Sequence, residues 1–177
     1  MSAATYLFRR VPKSFSQAIR PQGSNVAIDV QRAIFQHENF QRVVMRAASD
    51  YGDASITFPE AEHFPDSCFI EDTCVSLRPG IAVATMPAAP SRRGESGLIR
   101  SFLDAAVLNG ELEQVYHLQG SEKCDGGDVL VIEDSVFIGA SQRTNSNAHA
   151  RWNQICNLHG MKCVSIPVTD SLHLKSF

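Results

Sequence analysis

The stretch from Cys124 to Asn145, CDGGDVLVIEDSVFIGASQRTN, decides how the chain is read. It opens on an acidic turn, Asp125-Gly126-Gly127-Asp128, and runs apolar to Ile132 before the polar pair Glu133-Asp134. A second apolar run then reaches Gly139. Alternation through Val129, Val131, Val136 and Ile138 around a polar turn predicts a β-hairpin. The paired glycines let the backbone turn sharply and come close to a bound group. Asp125 then stands at the mouth of one strand. Arg143 lies just past the other, before Thr144-Asn145, which can cap a following helix. An acid at one end and a base at the other suit a small zwitterion with a cationic tail; the same residues also serve ordinary turns.

The flanks alternate strands and helices. Asn145 to Leu158 reads as a helix stopped by His159-Gly160, with a strand over 162–168 and another begun by Leu172 to Phe177. Upstream, a helix over 95–108 precedes a strand over 114–118, and strands are predicted at 6–8, 56–58, 73–77 and 81–86. Residues 25–50 form the longest predicted helix. Its apolar face is Val30, Ala33, Ile34, Phe40, Val44, Ala47 and Ala48, with His37 on or beside it and Asn25 or Asp29 as the cap. Strand–helix–strand order recurs, so the fold class is α/β with structural repetition, in a single domain over residues 1–177.

Composition removes several classes of function. A net charge of −3 and a pI near 6.0 leave no basic footprint for nucleic acid. No apolar stretch is long enough for a membrane span, and Met1 to Phe8 has no basic or apolar region of a secretory signal. Cys68, Cys74, Cys124, Cys156 and Cys163 make neither an even set nor a CxxC, and no Cys/His spacing suits zinc. A reduced, cytoplasmic protein is expected.

Three polar groups and one loop stand out from this background. Asp66, Glu71 and Asp72 bracket the apolar Cys68-Phe69-Ile70. Carboxylates there are costly if buried unpaired, so they are either solvated at loop edges or facing a cation, for which a guanidinium is well shaped. Arg92 and Arg93 stand at a helix start, where they oppose the macrodipole; they form a solvated pair or serve another purpose. His173, between Leu172 and Leu174, is a packed histidine or a near-neutral acid–base. The loop marked by Pro12, Pro21 and Gly23, which carries Ala18 and Ile19, is a surface connection or a mobile cover.

In order, FPDSCFIED (64–72), SRRGE (91–95), DGGD (125–128) and SLHLKS (171–176) resemble dimethylarginine dimethylaminohydrolase, a family of guanidino-group-modifying enzymes with the pentein (α/β-propeller) fold. The resemblance implies hydrolysis of an Nω-methylated arginine to citrulline and dimethylamine or methylamine through a covalent cysteine intermediate. It implies His173 as general acid and base, and Asp125 as its acidic companion against the guanidinium. Ile19 would touch the substrate from a covering loop, Asp66 would hold the amino-acid end, and Glu71 and Asp72 would serve the guanidinium. Arg92 and Arg143 would bind the α-carboxylate. This scheme requires no metal and no organic cofactor; its partner is a small molecule, with neither nucleic acid nor membrane.

One departure matters. In the resembling family the nucleophilic cysteine lies well beyond the histidine motif, so it is expected beyond residue 177. The chain is therefore expected to be the first part of the enzyme, with the last propeller blades absent, and inactive alone. Cys124 is the one cysteine near the acid. Rival readings are a sister hydrolase of arginine or citrulline and a non-catalytic binder of arginine-like cations. An agmatine hydrolase fits poorly, since agmatine has no carboxylate for Arg92 and Arg143.

Overall fold

The computed structural model describes residues 4–20, 23–24 and 26–176. Asn25 as a cap, Pro21 in its loop and Phe177 at the expected last strand lie outside them. The chain divides into two compact units, residues 1–70 and 71–177.

In the first unit, β1 (Thr5–Arg9) and β2 (Ala54–Phe58) pair in parallel, joined through α1 (Val30–Asp50). Asp29 caps α1 by accepting the Arg32 N–H at 3.0 Å, which satisfies a backbone donor at the open end of the helix. His37 is a boundary residue, its Nε2 bonded to the Arg9 carbonyl at 2.9 Å. The apolar face of α1 is less covered than its periodicity predicts. Phe40 meets Phe8 edge-on yet stays 57% exposed, while the polar Gln41 is buried. A cavity of about 480 Å³ between these elements, lined by Arg10, Lys13, His37 and Gln41 among others, contains none of the candidate site residues.

The second unit repeats one arrangement. The strands β3 (Cys74–Arg78) and β4 (Ile81–Ala84) form an antiparallel pair, and α2 (Glu95–Leu108) crosses to β5 (Gln114–His117), parallel to β4. The strands β6 (Val129–Ile132) and β7 (Ser135–Ala140) then make the predicted hairpin. From it α3 (Ser146–Leu158) crosses to β8 (Lys162–Pro167), parallel to β7. The hairpin turns at Glu133-Asp134, with Glu133 in the left-handed region at φ 51°. Asn145 caps α3 through the Ala148 N–H at 3.0 Å. Val83, Val129, Val136, Ile138, Trp152 and Ile155 lie in one apolar core. Each fully buried aliphatic side chain there contributes about 1.5–3 kcal/mol.

Among the described residues, neither the apolar Cys68-Phe69-Ile70 nor the segment begun by Leu172 forms a strand. Around Cys68 the chain makes tight turns, with the Phe69 N–H on the Asp66 carbonyl at 3.0 Å. The segment at His173 is a bend followed by a 3₁₀ turn, Leu174–Ser176. Local and side-chain groups take its backbone bonds: Asp128 accepts the Leu174 N–H, and the His173 carbonyl accepts from the Ser171 hydroxyl and the Ser176 N–H. A strand ladder competes poorly with such partners.

Candidate active site

Cys124 acts as a strap. It bridges Met86, past the end of β4, and Thr144, past the end of β7. Asp125 is thereby set between two elements, its N–H on the Arg143 carbonyl at 3.3 Å and its Oδ1 accepting the Ala88 N–H at 2.8 Å. Its Oδ2 accepts from His173 Nε2 at 3.2 Å and Arg143 Nη1 at 3.3 Å. Burial pushes this carboxyl up, but His173, the Ala88 N–H and Arg143 outweigh it and hold the pKa below the usual carboxylate value. Burial likewise opposes charge on His173. The bond to Asp125 and the charges of Asp72, Asp125 and Asp128 prevail, so the imidazole titrates above its ordinary value.

Asp72 comes from the other side. Its Oδ1 accepts the Gly127 N–H at 3.0 Å and its Oδ2 accepts from Arg92 Nη1 at 2.6 Å. Gly127 has a specific reason to be glycine: a Cβ there would lie 2.5 Å from His173 Nδ1 and 3.1 Å from Asp72 Oδ1. Ligand atoms of Asp72, Asp125 and His173 lie within 4.8 Å of one another.

Asp72, Arg92, Asp125, Arg143 and His173 are thus connected within the second unit. The two arginines do not converge on an open position; each is paired with a different buried acid. Arg92 is forked onto Glu95, with bonds of 2.9–3.2 Å, and meets Asp72 end-on. Burial opposes its charge, but Glu95 and Asp72 hold the guanidinium more firmly protonated than usual. The Arg143 side chain is more open, 21% exposed against 5% for Arg92. Glu71 is exposed, its carboxylate 4.0 Å from Lys175 Nζ. In the first unit, Asp66 and Ile19 are brought together: the buried Asp66 carboxylate accepts the Ile19 N–H at 3.0 and 3.3 Å. Sequence reasoning missed Glu95 as the partner of Arg92, although an acid three residues on at a helix start was a usable signal. It also gave Asp128 no function beyond its turn.

Cys124 is fully buried and its thiol is pushed up to about 12, chiefly by burial. Its sulfur lies 3.5 Å from the Asp125 carbonyl and 3.7 Å from the Thr144 hydroxyl. Such a thiol is a poor nucleophile at neutral pH.

A family model described as "N,N dimethylarginine dimethylhydrolase, eukaryotic" matches residues 11–175. The chain belongs to the dimethylarginine dimethylaminohydrolase family. Among its members, the enzyme of Pseudomonas aeruginosa is 31% identical over 151 residues, covering 84% of this chain and 55% of the relative. That of Streptomyces coelicolor is 33% identical over 132 residues, covering 75% and 49%. The chain spans about half the length of the curated relatives it matches. A crystal structure of the Pseudomonas aeruginosa dimethylarginine dimethylaminohydrolase, a Cys-to-Ser mutant complexed with citrulline, superposes with a TM-score of 0.85 at 25% identity over 98% of this chain and 64% of that one. The N-terminal domain of ArgZ, a cyanobacterial arginine dihydrolase, shares the fold at a TM-score of 0.76 and 16% identity, covering 96% of this chain and 59% of its own. The fold is thus the mixed α/β type of these enzymes.

Proposed function

We propose that this site belongs to a hydrolase of Nω-methylated arginine that yields citrulline and dimethylamine or methylamine. The observation that carries the reading is the buried Asp125 carboxylate shared by His173 and Arg143, with Asp72 beside it. Methylated arginine carries the complement of both halves of this arrangement. Its guanidinium can take Asp125 and Asp72 as acceptors while its α-carboxylate takes Arg143 and Arg92 in their place. Exchange of like for like keeps every buried charge paired. Glu71 completes the proposed contacts on the guanidinium side.

The chemistry follows the resemblance. A thiolate attacks the guanidinium carbon, His173 gives its proton to the departing amine, and water drawn on by the neutral imidazole releases citrulline. A His173 whose protonated form is favoured by the bond to Asp125 suits the first of these steps. Cys124 does not supply the thiolate, being buried with its thiol raised to about 12. Cys74, raised to about 12 by burial, does not supply it either. The family resemblance assigns the nucleophile to a cysteine outside these 177 residues, and the two repeats of the second unit to blades of a pentein propeller. Five free thiols support a reducing, cytoplasmic setting.

Citrulline release from asymmetric dimethylarginine by the native protein purified from its source tests the reading. His173→Ala in that protein should abolish release. Ligand binding without any turnover would instead favour a non-catalytic binder of arginine-like cations.

A further inference from the structure

Asp128 has no part in the chemistry above, yet its carboxylate is wholly buried and meets three neutral donors. Its Oδ2 accepts the Ser141 and Thr144 hydroxyls, the latter at 2.7 Å, and its Oδ1 accepts the Leu174 N–H at 2.9 Å. Each donor adjoins a site residue. Leu174 follows His173 and Thr144 follows Arg143, while the Ser141 hydroxyl also accepts the Arg143 N–H at 2.9 Å. Asp128 itself closes the turn that Asp125 opens, its N–H on the Asp125 carbonyl at 3.0 Å. There is little space for slack: a Cβ at Gly139 would lie 2.6 Å from Asp128 Oδ1.

We propose that Asp128 is a positioning residue that sets His173 and Arg143 against Asp125 through the Leu174 N–H and the Ser141 and Thr144 hydroxyls. The proposal rests on the functional reading of that trio and deepens it. Only an ionised carboxylate accepts at both ends. An asparagine would turn an amide donor toward one arm. It fits the hydroxyls, which can rotate to accept, and clashes with the Leu174 N–H, which cannot. The charged groups around the imidazole are Asp72, Asp125 and Asp128, with Arg143 reaching it through Asp125. Loss of the Asp128 charge lowers the His173 pKa.

The test is an NMR titration of His173 in the protein and in Asp128→Asn, beside thermal unfolding and binding of asymmetric dimethylarginine and methylguanidine. Asp128→Asn should move the imidazole midpoint down, toward its ordinary 6.5. Ser141→Ala leaves the carboxylate charge in place and loosens only the Arg143 arm. It should weaken the amino-acid ligand by about tenfold, with methylguanidine binding and the His173 midpoint unchanged. This variant also decides the matter if Asp128→Asn does not fold. Loss of thermal stability with an unmoved midpoint, or Ser141→Ala weakening both ligands equally, would overturn the proposal. The titration needs neither turnover nor ligand, so it decides the role of Asp128 even if the hydrolase reading fails.

Discussion

His173 Nε2 lies 3.2 Å from Asp125 Oδ2, and that carboxylate is fully shielded from solvent. A histidine and an acid placed in this way titrate as a unit, the acid held down and the base held up.

The pairing has a measurable consequence for stability. His173 titrates above its ordinary 6.5, so its contribution to folding is complete below that value and is lost as pH rises through the folded pKa. The urea midpoint should therefore fall as the pH climbs from neutrality, and Asp125→Asn should flatten the slope. A midpoint indifferent to pH in this range would contradict the pairing.

Gly126 and Gly127 should respond differently to alanine. A Cβ at Gly126 runs into the backbone carbonyl of Glu71, which cannot swing aside, so Gly126→Ala should destabilise the fold by about 1–3 kcal/mol. At Gly127 the Cβ meets the His173 ring instead. Gly127→Ala should displace the imidazole and lower its pKa with a smaller loss of stability. Identical effects on His173 from both variants would count against this packing.

Removal of Glu95 takes away the carboxylate onto which the buried Arg92 is forked. Glu95→Ala should cost about 3–5 kcal/mol, as expected for a broken buried pair. The exposed Arg78–Asp134 pair offers the contrast, and Asp134→Ala should cost less than about 1 kcal/mol. Chemical denaturation of the two variants measures the difference.

The hairpin was legible because period-two alternation through Val129, Val136 and Ile138 coincides with a polar turn, and all three side chains are buried. The caps Asp29 and Asn145 were legible for a local reason, each accepting an N–H three residues on. The segment at His173 was not. Leu172, His173 and Leu174 read as strand, but the acceptor for the Leu174 N–H lies 46 residues away in Asp128. No local pattern announces such a bond. The burial of Arg92 was hidden for a similar reason, because Asp72 is 20 residues away and the basic pair reads locally as a solvated one. Charged residues whose partners arrive by tertiary folding carry little local signal, and this site is built from them.

The central claim is that one site reads both ends of a methylated arginine, the guanidinium at Asp125 and the α-carboxylate at Arg143. Calorimetric titration of the protein, Asp125→Asn and Arg143→Ala with asymmetric dimethylarginine and with methylguanidine tests it most directly. Asp125→Asn should weaken both ligands by about 10- to 100-fold, the value of a charge-assisted bond. Arg143→Ala should weaken asymmetric dimethylarginine to a similar degree and leave methylguanidine unchanged or tighter, since Asp125 loses a competing cation. Equal losses for both ligands in Arg143→Ala, or no binding of either by the unaltered protein, would contradict the account.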